Sequence, residues 1–236
     1  MSILTLSNVT YQYEGAKNLV LKGVSAEFSE GNIYTIVGKS GSGKTTLLSL
    51  IAGLDVCADG EIRYKGTNLT ELDRDEYRSK HIGVIFQSFN LLTNATGVEN
   101  IMLSMSISGN RVKNKKEYAY ALLEKVGIDR ETAGRKVLKM SGGEQQRVGI
   151  ARALAHDPDI VIADEPTGNL DGDTERAILD IFAALAREES KCVIIVTHSN
   201  KVTAIADEVW GIQDGRLLFV KESRKSELVP TRFQDA

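Results

Sequence analysis

Gly38-Lys39-Ser40-Gly41-Ser42-Gly43-Lys44-Thr45 matches the pattern G-x-x-x-x-G-K-[ST] and directly follows the apolar, β-branched run Ile33-Tyr34-Thr35-Ile36-Val37. Gly38, Gly41 and Gly43 let the backbone curl with its N–H groups turned inward around a polyphosphate, with Ser40 and Ser42 in the same loop. Lys44 then reaches the β- and γ-phosphates, and Thr45 holds Mg²⁺ through its hydroxyl. Thr46, also expected to contact the nucleotide, opens a helix over Thr46–Ala52 that stops near Gly53. Strand, glycine-rich loop and helix in this order predict a nucleoside triphosphate site.

Outward from the loop, the chain up to Val37 reads as strands: Ile3–Val9, Leu19–Phe28 and Ile33–Val37, separated by turns at Glu14-Gly15 and Glu30-Gly31-Asn32. Short strands are expected at Glu61–Tyr64 and Ile82–Phe86. From about Asn90 to Lys139 the pattern becomes helical. Thr96 and Glu99 have capping-box spacing, and Lys115–Val126 puts Ala119, Leu122, Leu123 and Val126 on one face before Gly127. Thereafter helices at Gly142–Ala155 and Thr174–Arg187 alternate with the apolar strands Ile160–Ala163 and Val193–Val196. Fully apolar strands between helices imply a parallel sheet covered on both faces. Asp214-Gly215 joins two final strands, Glu208–Ile212 and Arg216–Val220, as a hairpin, and the polar segment Lys221–Ala236 is expected to be loosely ordered.

The whole chain narrows the function classes. Its 236 residues, 42% of them hydrophobic, suffice for a substantial core. With 29 basic and 32 acidic side chains the net charge is −3, which gives no reason to expect nucleic acid as a partner. No apolar run approaches the roughly 18 residues that cross a bilayer, and Met1-Ser2-Ile3-Leu4-Thr5 lacks the features of a secretion signal, so a cytoplasmic protein is expected. Cys57 and Cys192 form no C-x-x-C pair and read as free, buried thiols.

Two further motifs carry chemistry. The strand Ile160–Ala163 ends in Asp164-Glu165. Asp164 can accept a hydrogen bond from a water on Mg²⁺, and Glu165 can polarise the water that attacks in line. In Met140-Ser141-Gly142-Gly143-Glu144-Gln145-Gln146-Arg147, Ser141 and Glu144 have the spacing of a reciprocal N-cap. Two adjacent glycines in a helix cost about 1 kcal/mol each relative to alanine unless a backbone or ligand approaches closely. A second phosphate-facing helix start is therefore expected.

These motifs together resemble the ATP-binding subunits of ABC (ATP-binding cassette) transporters, over nearly all of the first 220 or so residues. The resemblance implies an α/β P-loop NTPase fold: an ABC cassette with a mainly parallel core sheet, an N-terminal antiparallel β subdomain and a helical insert at about 90–140. The ATP-binding domain would span 1–222, with 223–236 as a tail. Ser141-Gly142-Gly143 is similar to the family signature, usually written LSGGQ, which completes the ATP site of the opposite subunit; Met140 and Glu144 replace the usual leucine and glutamine. The glutamate is expected to face the helix cap. Gln87 resembles the glutamine that senses Mg²⁺ or the attacking water, Asn169-Leu170-Asp171 the loop where two subunits touch, and His198 the switch histidine at the γ-phosphate. Tyr13 is expected to stack on adenine, with Tyr11 as the competing choice.

The resemblance implies ATP and Mg²⁺ as ligands, ATP hydrolysis, a second copy in a head-to-tail ATP sandwich, and a membrane permease on whose cytoplasmic side the chain sits. Phe86-Gln87-Ser88-Phe89-Asn90-Leu91-Leu92, Pro166-Thr167-Gly168-Asn169-Leu170-Asp171 and Gly143-Glu144-Gln145-Gln146-Arg147 together resemble the branch of macrolide exporters, lipoprotein-release systems and antimicrobial-peptide resistance transporters. That branch also contains a cell-division ATPase regulating cell-wall hydrolases, and it implies a periplasmic-adaptor-type protein reached through the permease. Partner choice is expected in Ser88–Arg111, which carries Phe89, Leu91 and Leu92. Non-transport ABC ATPases usually carry two cassettes or a long coiled coil. A small-molecule kinase would share Lys44 and Thr45 but has no use for Ser141-Gly142-Gly143.

Overall fold

The computed structural model describes residues 2–168 and 170–222. From the N-terminus, β1 (Ser2–Tyr11), β2 (Leu21–Ser29), β3 (Ile33–Val37), α1 (Lys44–Ile51), β4 (Asp59–Tyr64), β5 (Thr67–Asn68), α2 (Arg74–Lys80) and β6 (Ile82–Ile85) precede a helical stretch. That stretch holds α3 (Gly97–Ile107), α4 (Lys115–Lys125) and α5 (Arg130–Ala133). There follow α6 (Gly142–Ala153), β7 (Ile160–Asp164), α7 (Gly172–Arg187), β8 (Cys192–Val196), α8 (Asn200–Ile205), β9 (Glu208–Gln213) and β10 (Arg216–Glu222).

Two sheets result. β2, β1, β4 and β5 form an antiparallel sheet in that order, and a larger sheet runs β10-β9-β3-β8-β7-β6. In the larger sheet β9, β3, β8, β7 and β6 are parallel, with β10 added antiparallel at one edge. Alternation along its strands sends side chains into two cores. Val161, Ala163, Val193 and Ile195 pack with α6, α7 and the helical stretch, while Tyr34, Ile36, Ile162, Ile194 and Val196 pack with α1 and the antiparallel sheet. The expected parallel core sheet, antiparallel β subdomain and helical insert are all present.

Local chemistry accounts for the element ends. Thr96 and Glu99 form the expected capping box on α3, and α4 buries Ala119, Leu122 and Leu123. Asp214 and Gly215 both take positive φ, as a tight hairpin requires. Cys57 and Cys192 are free; Cys192 is buried as expected, whereas Cys57 is only partly so.

Several boundaries differ from the sequence reading. α7 begins at Gly172, not Thr174, because the Asp171 carboxylate accepts the N–H groups of Asp173 and Thr174 and caps the helix there. α6 ends at Ala153, and β2 starts at Leu21 after Val20 N–H closes the turn onto the Tyr11 carbonyl. α1 starts at Lys44, two residues before Thr46. β5, α2 and α8 were not anticipated. α2 buries only Tyr77 and α8 only Val202, so neither has the apolar stripe that reveals a helix. Asp73 caps α2, and Arg78–Asp75 and Lys80–Glu76 ion pairs run along it. Lys221 and Glu222, read as the start of the tail, belong to β10; the remaining tail residues, like Asn169, lie outside the described residues.

Candidate functional site

Parallel strands deliver their carboxyl ends to one edge of a sheet, and here four of them carry the chemistry. β3 leads into the glycine-rich loop, β6 toward Gln87, β7 ends in Asp164 before Glu165, and β8 leads into Thr197-His198. A cavity of about 820 Å³ opens at that edge. Of the residues expected to form the site, Tyr13, Ser40, Gly41, Gly43, Lys44, Thr45, Thr46, Gln87, Asp164, Glu165 and His198 line it.

Gly41 (φ +76°) and Gly43 (φ +107°) take the left-handed conformation that turns the loop. At Gly38 a Cβ would come within 2.8 Å of both Ile212 Cγ2 and Ser42 Oγ, so no larger residue fits. Gly43 is the N-cap of α1, and no side chain caps that helix. The other α-helices are capped by Asp73, Thr96, Asn114, Asp129, Ser141, Asp171 and Ser199. The positive end of α1 is thereby left to an anion.

Lys44 supplies the complementary observation. Its side chain is buried, and Nζ donates to the carbonyls of Gly38 (2.6 Å) and Lys39 (3.0 Å) and lies 3.3 Å from His198 Nε2. Among the described residues no carboxylate pairs with it. A buried lysine paired directly with no carboxylate is costly, and a polyphosphate at the α1 terminus would offset that cost.

The acidic side of the cavity faces this cation. Thr45 Oγ1 donates to Asp164 Oδ2 at 3.0 Å, which sets two hard oxygen ligands side by side, as Mg²⁺ prefers. Glu165 has φ +45°, a strained conformation for a non-glycine residue. Its Oε2 accepts from Thr197 Oγ1 (3.1 Å) and the His198 N–H (3.2 Å). Its Oε1 is buried without a hydrogen bond, 3.4 Å from His198 Nε2. Gln87 is exposed and lies beside Gly168, where an added Cβ would stand 3.8 Å from Gln87 Nε2.

The two tyrosines separate cleanly. Tyr13 is 50% exposed on the cavity rim, with its hydroxyl 2.8 Å from Thr46 Oγ1, whereas Tyr11 is buried and donates to Asp55 Oδ2 at 2.8 Å. Tyr11 packs edge-on beneath Tyr13, with ring centroids 5.1 Å apart.

Ser141, Gly142, Gly143 and Asp171 do not line this cavity. Ser141 and Glu144 cap α6 reciprocally: Glu144 Oε2 accepts the Ser141 N–H at 2.6 Å, so the carboxylate is engaged at the cap. The expectation that both glycines admit a close approach divides. A Cβ on Gly143 would stand 2.5 Å from Thr174 Cγ2, so that glycine accommodates α7 of its own chain, while Gly142 opens onto free space. Asp171 caps α7, and the Thr174 backbone N–H holds its carboxyl below the usual carboxylate range.

Thr167, Gly168, Glu175 and Ser199 also line the cavity and escaped the sequence reading. Thr167 and Gly168 stood inside a quoted motif, but Glu175 follows an irregular loop and reaches the site only through the docking of α7.

Comparison with known proteins agrees with this geometry. The family model for ABC transporters matches residues 21–168. An uncharacterized ABC transporter ATP-binding protein, YclH of Bacillus subtilis, is 44% identical over 88% of this chain and 92% of its own length. The lipoprotein-releasing system ATP-binding protein LolD of Francisella tularensis is 38% identical over 94% and 98%. The macrolide export ATP-binding/permease protein MacB of Syntrophobacter fumaroxidans is 39% identical over 91% of this chain but only 31% of its own length. The solved dimeric, post-hydrolysis structure of the cassette MJ0796 bound to ADP and Pi superposes with a TM-score of 0.84 at 33% identity, over 93% of this chain and 97% of that one. The family match over residues 21–168, the similarity to LolD and MacB and the fold shared with an ADP-bound cassette place this chain in the ABC transporter family as an ATP-binding, ATP-hydrolysing subunit of the MacB/LolD-like branch.

Proposed function

We propose that residues 1–222 form one nucleotide-binding domain whose active site is divided between two copies. Lys44, the loop from Gly38 to Gly43 and the α1 terminus hold the triphosphate, Thr46 and Tyr13 contact the nucleotide, and Tyr13 stacks on adenine. The buried Lys44 side chain, paired with no carboxylate among the described residues, is the observation that carries this assignment. Mg²⁺, when bound, would be held by Thr45 and Asp164, with Gln87 nearby, and would neutralise phosphate charge. Glu165 accepts a proton from the attacking water. His198, within reach of both Lys44 and Glu165, contacts the γ-phosphate.

Ser141, Gly142 and Gly143 lie outside their own cavity, and Gly142 faces open space, which favours closure on the nucleotide of a second copy. Asp171 and its neighbours would meet that copy. Removal of the γ-phosphate then releases the two halves. We assign the chain to a membrane complex of the efflux or force-transmitting kind, because the relatives MacB and LolD are named for macrolide export and lipoprotein release. Leu92, Leu103 and Ile107, all exposed, line a groove of about 290 Å³ that would receive the permease; a periplasmic-adaptor-type protein would be reached through it. Among the described residues no helix is long and apolar enough to cross a membrane.

Glu165→Gln tests the divided site. It is expected to keep ATP affinity, slow hydrolysis by about 10²–10⁴-fold, the usual contribution of a general base, and accumulate an ATP-bound dimer on gel filtration. A monomer under saturating ATP would overturn the proposal.

A further inference from the structure

Glu175 lies in the first turn of α7 on the cavity wall, with its side chain 12% exposed. Its Oε1 accepts from Ser199 Oγ at 2.8 Å and its Oε2 from Lys201 Nζ at 2.7 Å. Both donors belong to the segment that follows His198. Ser199 is held on three sides: its N–H donates to Thr197 Oγ1 (3.0 Å), its hydroxyl accepts from Lys201 N–H (3.2 Å), and the same hydroxyl donates to Glu175. His198 sits between two tethers, with its own N–H on Glu165 and its successor on Glu175.

The two bonds to Glu175 are not equivalent. Lys201 is 61% exposed, so its pairing is screened by water and contributes little; the bond from Ser199 is part-buried and directly adjoins His198. The residue before Glu175, Thr174, packs its methyl against Gly143 at the start of α6. One turn of α7 thus touches both the Ser141-Gly142-Gly143 segment and the loop of the switch histidine.

We propose that Glu175 is a positioning residue for ATP hydrolysis, which clamps Ser199 so that His198 stands at the γ-phosphate and ties that stance to the α7 turn packed on Gly143. This rests on the role given to His198 above. Displacing a positioned group by about an ångström lowers the rate of the chemical step with little effect on binding, and the amide of a glutamine can still accept the Ser199 hydroxyl.

The test measures single-turnover ATP hydrolysis by the full chain together with the affinity for a fluorescent ATP analogue. Glu175→Ala is expected to lower the rate about tenfold or more with affinity changed by less than about twofold, and Glu175→Gln to restore most of the loss. Adding Glu175→Ala to His198→Ala is expected to slow the enzyme no further, since both act through one ring. Ser199→Ala should reproduce the Glu175→Ala loss, and it decides the matter if melting curves show Glu175→Ala unfolded. A Glu175→Ala rate within about twofold of the parent, or a loss that multiplies with that of His198→Ala, overturns the inference while leaving His198 its role. Should His198→Ala itself hydrolyse ATP at the parent rate, the reading of His198 fails, and this inference with it.

Discussion

At the scale of single residues, Lys44 joins sequence to function most directly. Its side chain is buried and, among the described residues, its ammonium is answered by two carbonyls and a ring nitrogen and by no carboxylate, so a phosphate bound there would gain both a charge-assisted bond and the relief of an unpaired charge. Lys44→Ala is therefore expected to weaken ATP binding by about a hundredfold or more, near the worth of one to two charged hydrogen bonds. Isothermal titration showing unchanged affinity would refute the phosphate-loop assignment. The same scale exposes what spacing cannot settle. The sequence favours Tyr13 over Tyr11 only by its nearness to a turn, whereas in the structure Tyr11 is buried and donates to the Asp55 carboxylate while Tyr13 stands at the rim.

At the scale of elements, the contact between α6 and α7 makes the two signature glycines unequal. Thr174 cannot swing its methyl away from Gly143 freely, because its hydroxyl donates to Asp171 Oδ2 at 2.8 Å and is part of the α7 cap. Gly143→Ala is expected to destabilise the chain by about 1–3 kcal/mol through overpacking. Gly142→Ala, into open space, should leave stability equal or raise it by up to about 1 kcal/mol. Thermal unfolding compares the two variants, and a lower melting point for Gly142→Ala than for Gly143→Ala would contradict the packing argument. Elements differed in how readily the sequence disclosed them. α3 and α6 announced themselves by Ser/Thr-x-x-Glu boxes whose bonds are local, whereas α2 and α8 each bury one side chain and leave no periodic trace.

At the scale of the whole molecule, the cavity at the strand ends and the groove of Leu92, Leu103 and Ile107 share no lining residue, and Arg78 and Arg152 also line the groove. Ile107 is 73% exposed, so a charge there costs the fold little yet opposes any apolar partner. Ile107→Glu is expected to abolish copurification with the membrane protein while ATP affinity stays within about twofold. Retention of the membrane protein would remove this groove from the permease interface.

The order of apolar strands and helices, the glycine-rich loop, the Asp164-Glu165 pair and the caps at Thr96 and Ser141 were legible along the chain, because each depends on neighbours a few residues away. Tertiary structure alone decided which tyrosine meets the cavity, that Gly143 serves α7 while Gly142 stays open, and that Glu175 reaches the loop of His198. Those outcomes depend on parallel strands bringing distant segments to one edge of a sheet, where packing and burial select among residues that no local pattern distinguishes.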